Sequence, residues 1–282
     1  MSEQNSKAPP KGSTLTVDGL ELHYHDHAAK QAPEKGVVVF IHGSGPGASG
    51  YSNFKLNAPV FAEAGYRTLV PDLPGFGYSD KPTDRDYTTE LFSESLVGLL
   101  KALDIPRYTL IGNSLGGAVA IRAALDHPQQ VEKLILMAPG GIEELDTYMA
   151  MPAMAKLIEN FVGGALDRQG LRNVLTTLVY DPKHVTDELV DERYAILQQQ
   201  PPEVLSRMKI PNMEKELPNL TCPILSFWGK DDELLPASGG EKIKRLCPAS
   251  RSHIDLSECG HWVMVEYSQM FNDTCLSFLE EN

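Results

Sequence analysis

Three residue types needed for nucleophilic catalysis stand in a suggestive order along this chain. Ser114 lies in Gly112-Asn113-Ser114-Leu115-Gly116-Gly117, the acidic pair Asp231-Asp232 follows Gly229-Lys230, and His261 lies in Gly260-His261-Trp262. A serine hydroxyl is a poor nucleophile at neutral pH and needs an adjacent imidazole to take its proton. A carboxylate must then hold that imidazole in the correct tautomer and stabilise its cation. Asp232 is the preferred partner, with Asp231 as the alternative. His42 and His127 are competing bases. His42 suits the shaping of a glycine loop better, and His127, followed by Pro128, marks the end of a helix. A short Gly-x-Ser-x-Gly pattern also arises by chance in glycine-rich turns, so the aspartate and histidine downstream carry much of its weight.

The elements around these residues have to position them. The apolar run 107–111 before the glycines predicts a strand, and the run 118–125 after them predicts a helix, so a strand turns into a helix at Ser114. A serine on so sharp a turn is strained, and side chains two residues away would collide with the turn unless absent; Gly112 and Gly116 fill those places. The following helix directs its free N–H groups and positive end toward charge forming beside the serine. Upstream, the β-branched strand 37–41 runs into His42-Gly43-Ser44-Gly45-Pro46-Gly47. Such exits lie at the carboxyl ends of strands, where ligands bind in open parallel sheets. Amides there can supply half of an oxyanion hole, with Leu115 supplying the other half. A phosphate-cradling loop is the other reading, but no Gly-Lys-Ser/Thr follows.

Strand and helix patterns alternate elsewhere. A hairpin is expected over 14–26, turning at Asp18-Gly19. Helices are expected over 53–64 and 88–103, and strands over 67–70, 133–138, 223–228 and 252–256, with a terminal helix over 267–279. This predicts a doubly wound parallel sheet. From 142 to 217 strands vanish and helical runs take over, at 149–162, 169–179 and 186–199. The chain therefore reads as a core formed by 1–141 and 218–282, with a helical cap at 142–217 that excludes water and shapes the pocket. His23, His25 and His27 share one strand face at a spacing that can bind zinc. With no further ligand nearby in sequence, they read as the solvated face of an edge hairpin.

Composition narrows the function classes. Of the 282 residues 42% are hydrophobic and 22% charged, which is ordinary for a globular chain. The formal net charge of −13 argues against a nucleic-acid surface. The polar leader 1–10 has no apolar core for a signal peptide, and no run is long enough to span a bilayer, so a cytoplasmic location and no membrane partner are expected. Cys222, Cys247, Cys259 and Cys275 lack close paired spacing, which argues against a metal cluster and predicts free thiols.

These motifs resemble the α/β-hydrolase superfamily along nearly the whole chain. More narrowly, the sequence is similar to the meta-cleavage-product hydrolases, carbon–carbon bond hydrolases of aromatic degradation. The narrower resemblance rests on the loop His42 to Ala48 with Ser52-Asn53, on Asn113 before the serine, on Tyr180-Asp181 and Arg193, and on Gly260-His261-Trp262. It implies a mostly parallel eight-stranded sheet with an inserted helical cap, no cofactor and no metal, and self-association as a dimer or tetramer. The substrate it implies is a 2-hydroxy-6-oxo-hexa-2,4-dienoate. Ser114, His261 and Asp232 would form the triad, and the amides of Ser44 and Leu115 the oxyanion hole. Gly43, Gly45, Asn53, Asn113 and Arg193 would bind the substrate, with Trp262 packed beside the dienoate. A guanidinium fork suits an anionic oxo-acid. Taken alone, Arg193 in the run Asp191-Glu192-Arg193 reads as a solvated helix residue. Ser44 departs from a glycine common in relatives, which leaves its backbone donor intact. The stretch 143–169 matches no substrate-specific pattern, so the 6-substituent stays open.

Two other functions fit the same residues. A carboxylesterase would use the triad without ketonisation of the substrate, and a non-catalytic ligand receptor would use the fold alone. Dehalogenases and epoxide hydrolases of this fold are disfavoured, because they need aspartate where Ser114 stands.

Overall fold

The structure, a computed structural model, describes residues 11–162 and 166–281. The leader 1–10, on which the signal-peptide reading rested, lies outside the described residues. Ten strands are found among those residues: β1 (Ser13–Val17), β2 (Leu20–His27), β3 (Val37–Ile41), β4 (Arg67–Pro71), β5 (Tyr87–Thr88), β6 (Tyr108–Asn113), β7 (Val131–Met137), β8 (Met208–Lys209), β9 (Ile224–Gly229) and β10 (Ser250–Leu256). Eight of them form one sheet in the order β1-β2-β4-β3-β6-β7-β9-β10. The β1/β2 and β2/β4 pairings are antiparallel. All later pairings are parallel. The expected mostly parallel eight-stranded sheet is therefore present.

Side-chain alternation along the central strands sends residues to opposite faces. Val39, Ile41, Leu110, Leu134 and Leu136 join one apolar cluster, while Val38, Phe40, Ile111, Ile135 and Met137 join the other. Every residue of β6 is buried, as a parallel strand covered on both faces requires. The β1/β2 hairpin turns at Asp18 (φ 48°) and Gly19 (φ 79°), the double positive φ of a tight two-residue turn.

The helices are α1 (Gly50–Phe54), α2 (Ala58–Glu63), α3 (Thr89–Ala102), α4 (Leu115–Asp126), α5 (Leu145–Met149), α6 (Pro152–Val162), α7 (Arg168–Thr176), α8 (Asp187–Leu197), α9 (Glu203–Ser206), α10 (Ser238–Leu246), α11 (Val263–Glu266) and α12 (Ser268–Glu280). The single helix expected over 53–64 is two. α1 begins earlier, on a Ser49/Ser52 capping box, and the Asn57 amide, bonded to the Met264 carbonyl and to Asn272, separates it from α2. Between β7 and β9 the regular elements among the described residues are helices, with one exception to the expected loss of strands: β8 pairs with β5 in a two-stranded ribbon. Leu171, Leu175, Leu178, Val185, Leu189 and Val190 from this segment share an apolar cluster with the sheet residues Phe40 and Phe227.

The histidine face of β2 is not solvated. β2 lies between β1 and β4, and His23 and His25 are buried. His23 Nδ1 lies 2.8 Å from Asp72 Oδ2, across 49 residues of sequence. Burial pushes the Asp72 carboxyl up, but the His23 hydrogen bond, the neighbouring imidazoles and the Tyr78 N–H outweigh it and hold the group below its ordinary value.

Candidate active site

Ser114 sits at the junction of β6 and α4 with φ 56° and ψ −119°. A non-glycine residue there carries strain of about 1–3 kcal/mol, held by its surroundings. Those surroundings are specific. The Ser114 N–H donates to the Met137 carbonyl at 3.0 Å, and its carbonyl accepts from the N–H groups of Gly117, Ala118 and Gly140. A Cβ on Gly116 would overlap the carbonyl oxygen of Ile41, and one on Gly112 would overlap that of Gly116. Both glycines are thus required by close backbone approach.

Asp232 and His261 meet on loops after β9 and β10, with Asp232 Oδ2 2.7 Å from His261 Nδ1. The other carboxylate oxygen accepts from the N–H groups of Leu234 and Leu235 at 2.8 and 3.0 Å. Asp232 is buried with all three donors on it. Asp231 instead accepts from the Glu258 N–H at the exposed surface, so of the two aspartates the fold brings Asp232 to His261.

His261 Nε2 is buried and has no hydrogen-bond partner, so the Ser114 hydroxyl is not bonded to it in this conformation. Catalytic hydrogen bonds of ligand-free enzymes are often long and tighten with substrate. The backbones on the two sides are joined, because the Asn113 side-chain amide donates to the carbonyls of Met137 (3.3 Å) and His261 (3.2 Å). Neither competing base is available. His42 donates from Nδ1 to the Gly43 carbonyl and accepts the Leu73 N–H at Nε2, which occupies both ring nitrogens. Burial lowers its pKa, keeping it neutral. His127 caps the far end of α4, about 20 Å along the helix from Ser114.

The loop after β3 lies against the elbow, where a Cβ on Gly43 would be 3.2 Å from Ser114 Cβ. Among the described residues, the Ser44 and Leu115 amides have no hydrogen-bond acceptor. The same loop meets α8. A Cβ on Gly47 would overlap the Arg193 carbonyl oxygen, and one on Gly45 would lie 3.1 Å from its guanidinium.

Arg193 is not a solvated helix residue. It is 1% exposed, donates to Asn53 Oδ1 at 2.5 Å and to the Pro46 carbonyl at 3.4 Å, and lies 4.8 Å over the Trp262 ring. Burial works against its charge and pulls its pKa down, with the Glu192 carboxylate opposing. The stack on Trp262 brings the guanidinium beside the residue that follows His261.

Sequence reading missed the residues that dock α8 onto the core. Lys55 pairs with Glu192 at 2.8 Å. Gln200 accepts the Gly47 N–H and donates to the Gly75 carbonyl, both at 3.1 Å. Their partners are 125 to 153 residues away in sequence, so no local pattern announces them.

Seven buried side-chain nitrogen or oxygen atoms lack partners among the described residues, and four of them are Asn53 Nδ2, Asn113 Oδ1, Arg193 Nε and His261 Nε2. Buried polar groups are nearly always satisfied. Two unused donors, one unused acceptor and one imidazole nitrogen, all on residues linked through Trp262, the 261 backbone and α8, make a set suited to an anionic, oxygen-rich ligand.

Comparison with known proteins identifies the fold and the family. Residues 36–175 match the α/β hydrolase fold family. The chain is 35% identical, over 99% of both sequences, to the 2-hydroxy-6-oxononadienedioate/2-hydroxy-6-oxononatrienedioate hydrolase of Comamonas testosteroni. It is 33% identical, again over 99% of both, to the 2-hydroxy-6-oxo-6-phenylhexa-2,4-dienoate hydrolase of Burkholderia cepacia. The chain belongs to the meta-cleavage-product hydrolases of the α/β-hydrolase superfamily. A meta-cleavage product hydrolase of Pseudomonas fluorescens IP01 superimposes with a TM-score of 0.81 at 27% identity, over 95% of this chain and 97% of that one. This hydrolase has, among its described residues, no helix long and apolar enough to cross a membrane.

Proposed function

We propose that this hydrolase cleaves the C5–C6 bond of a 2-hydroxy-6-oxo-hexa-2,4-dienoate, adding water to give 2-hydroxypenta-2,4-dienoate and a carboxylic acid. The cluster of four unpaired buried polar atoms carries this reading. Arg193 Nε and Asn53 Nδ2 are donors for the carboxylate and 2-oxygen end. The Asn113 N–H groups are both engaged with carbonyls, so Asn113 offers only its Oδ1, an acceptor for the 2-hydroxyl proton. Gly43 and Gly45 line the same loop, and Trp262 holds Arg193 in place while flanking the dienoate.

The reaction has two stages. The 2-hydroxyl loses its proton and C5 gains one, giving a 2,6-diketone; His261 manages this transfer while Arg193 stabilises the charge on the 2-oxygen. Ser114 then attacks C6, its proton passing to His261, which Asp232 holds as the imidazolium. The Ser44 and Leu115 amides take the oxyanion. Collapse breaks C5–C6, the electron pair entering the conjugated 2-oxo acid, whose enolate takes the His261 proton and leaves as 2-hydroxypenta-2,4-dienoate. His261 then takes a proton from water attacking the acyl-serine and returns it to the Ser114 oxygen as the acid departs. Ketonisation has to precede attack, because only the diketone makes the departing carbon a stabilised carbanion.

On this reading 142–217 is the cap over the site and 1–141 with 218–282 is the core. Four buried free cysteines support a reducing, cytoplasmic setting. A dimer or tetramer, expected from the family resemblance, is checked by light scattering. Stopped-flow spectroscopy with a yellow 2-hydroxy-6-oxo-dienoate tests the chemistry. Wild type bleaches the dye and releases both products, and Ser114→Ala binds the dye but cleaves it very slowly. Wild type that hydrolyses simple esters but leaves the dye intact would be a carboxylesterase, and the proposal would fall. A panel of 6-alkyl, 6-phenyl and 6-carboxyalkyl dienoates then separates the two activities named for the relatives.

A further inference from the structure

Glu266 takes no part in the chemistry above, yet its carboxylate ties together the two segments that flank His261. It closes α11, five residues after the histidine. Oε1 accepts the N–H of Gly260 at 2.7 Å, and Oε2 accepts those of Tyr180 and Asp181 at 2.8 and 3.2 Å. From the other direction, the N–H groups of His261 and Trp262 both donate to the Leu178 carbonyl, at 2.9 and 3.2 Å. The peptides on both sides of His261 are therefore fixed to residues 178–181, the stretch between α7 and α8.

The Glu266 carboxylate makes no ion pair among the described residues. Three backbone N–H groups donate to it, with the Cys259 thiol alongside, and charge-assisted bonds of this kind are the strong ones. An uncharged amide in its place would turn an NH₂ toward at least one of these donors and lose that bond. The arrangement resembles the outer partners that orient a ligating or catalytic imidazole, except that here the backbone is held and not the ring.

We infer that Glu266 is a positioning residue for His261, holding the imidazole on Asp232 and making its placement depend on how residues 178–181 are seated. This rests on the reading of His261 as the base of the proposed reaction. A misplacement of about 1 Å in a catalytic group can cost roughly 100-fold in rate.

The test uses the full-length protein with Glu266→Gln and Glu266→Asp, assayed on a yellow dienoate and on a p-nitrophenyl ester, with folding followed by circular dichroism and thermal melting. The Nδ1 proton of the His261–Asp232 pair is read by NMR without substrate. Glu266→Gln is expected to lower kcat about 10- to 100-fold on both substrates, with KM within about threefold and the Nδ1 resonance shifted or broadened. Glu266→Asp, which keeps two charged acceptors, is expected to recover part of that loss. Unchanged kcat, or a loss matched by the unfolded fraction with a wild-type resonance, overturns the inference. If Glu266→Gln does not fold, a folded Glu266→Asp variant with wild-type kcat and resonance overturns it equally. Because the resonance needs no substrate, the two failures are distinct: wild type that does not cleave the dienoate sinks the proposed function, whereas a wild-type resonance in folded Glu266→Gln sinks the placement of His261 by Glu266.

Discussion

Replacing Arg193 by glutamine separates binding of an anion from maintenance of the fold. In the folded protein the guanidinium is 1% exposed and held by Asn53, the Pro46 carbonyl and the Trp262 ring. Losing a charge-assisted hydrogen bond costs about 1.5–3 kcal/mol and the cation–π contact about 0.5–2 kcal/mol. Removing a charge whose pKa burial already depresses returns part of this, so the net loss of stability stays near about 2 kcal/mol or less. Substrate binding responds differently. If the guanidinium receives the dienoate carboxylate in a buried site, its removal costs about 2–5 kcal/mol, or roughly 30- to 5,000-fold in KM. A p-nitrophenyl ester has no carboxylate to lose, and its kcat/KM should stay within about threefold on the same reasoning. Arg193→Lys, a point charge without the fork, should fall between. Equal losses on dienoate and ester, or a large drop in melting temperature with unchanged dienoate KM, would show that Arg193 is a structural strut and refute the argument.

Other substitutions separate roles that lie side by side. Asp232→Asn presents an NH₂ to His261 Nδ1 and fixes the wrong tautomer, so kcat should fall by about 10³–10⁴. Asp231→Asn keeps the acceptor for the Glu258 N–H and should change kcat by less than about threefold, measured in the same assay. Gly116→Ala forces a methyl onto the Ile41 carbonyl and should destabilise the fold by about 2–4 kcal/mol in urea titrations. His25 is held to a pKa of about 4, against 6.5 unperturbed, by burial first and by His23 second. The unfolded chain therefore takes up its proton first. Stability is full above pH 6.5 and is lost as pH falls toward about 4, by up to about 3 kcal/mol. Between about pH 7.5 and about pH 4.5 the urea midpoint of wild type should fall relative to that of His25→Phe, and a constant difference would refute this.

Strand runs with unbroken β-branched residues, the glycines around Ser114 and the Asp18-Gly19 turn were legible because each reports a local backbone demand. The aspartate was half legible: spacing favoured Asp232, and only the fold shows it meeting His261 while Asp231 turns to the Glu258 N–H. The histidines of β2 show the opposite case. Alternation placed them on one face, but what covers that face is Asp72 and Tyr51, from elements with no sequence proximity. Arg193 was misleading on its own because a charged run on a helix normally faces water, and the family resemblance, not the run, pointed to its role. Glu266 and Gln200 carried no signal at all, since each acts on backbone groups that every residue type possesses.

The close approach of Gly47 to the carbonyl of Arg193, which leaves no room for a side chain at 47, has a bearing on how such enzymes could be recombined. Here two main chains touch with no side chain between them, so neither can be altered independently of the other. A chimera that imports a relative's helical segment between β7 and β9 would have to inherit the loop after the third strand in the same exchange, or keep the eighth helix native.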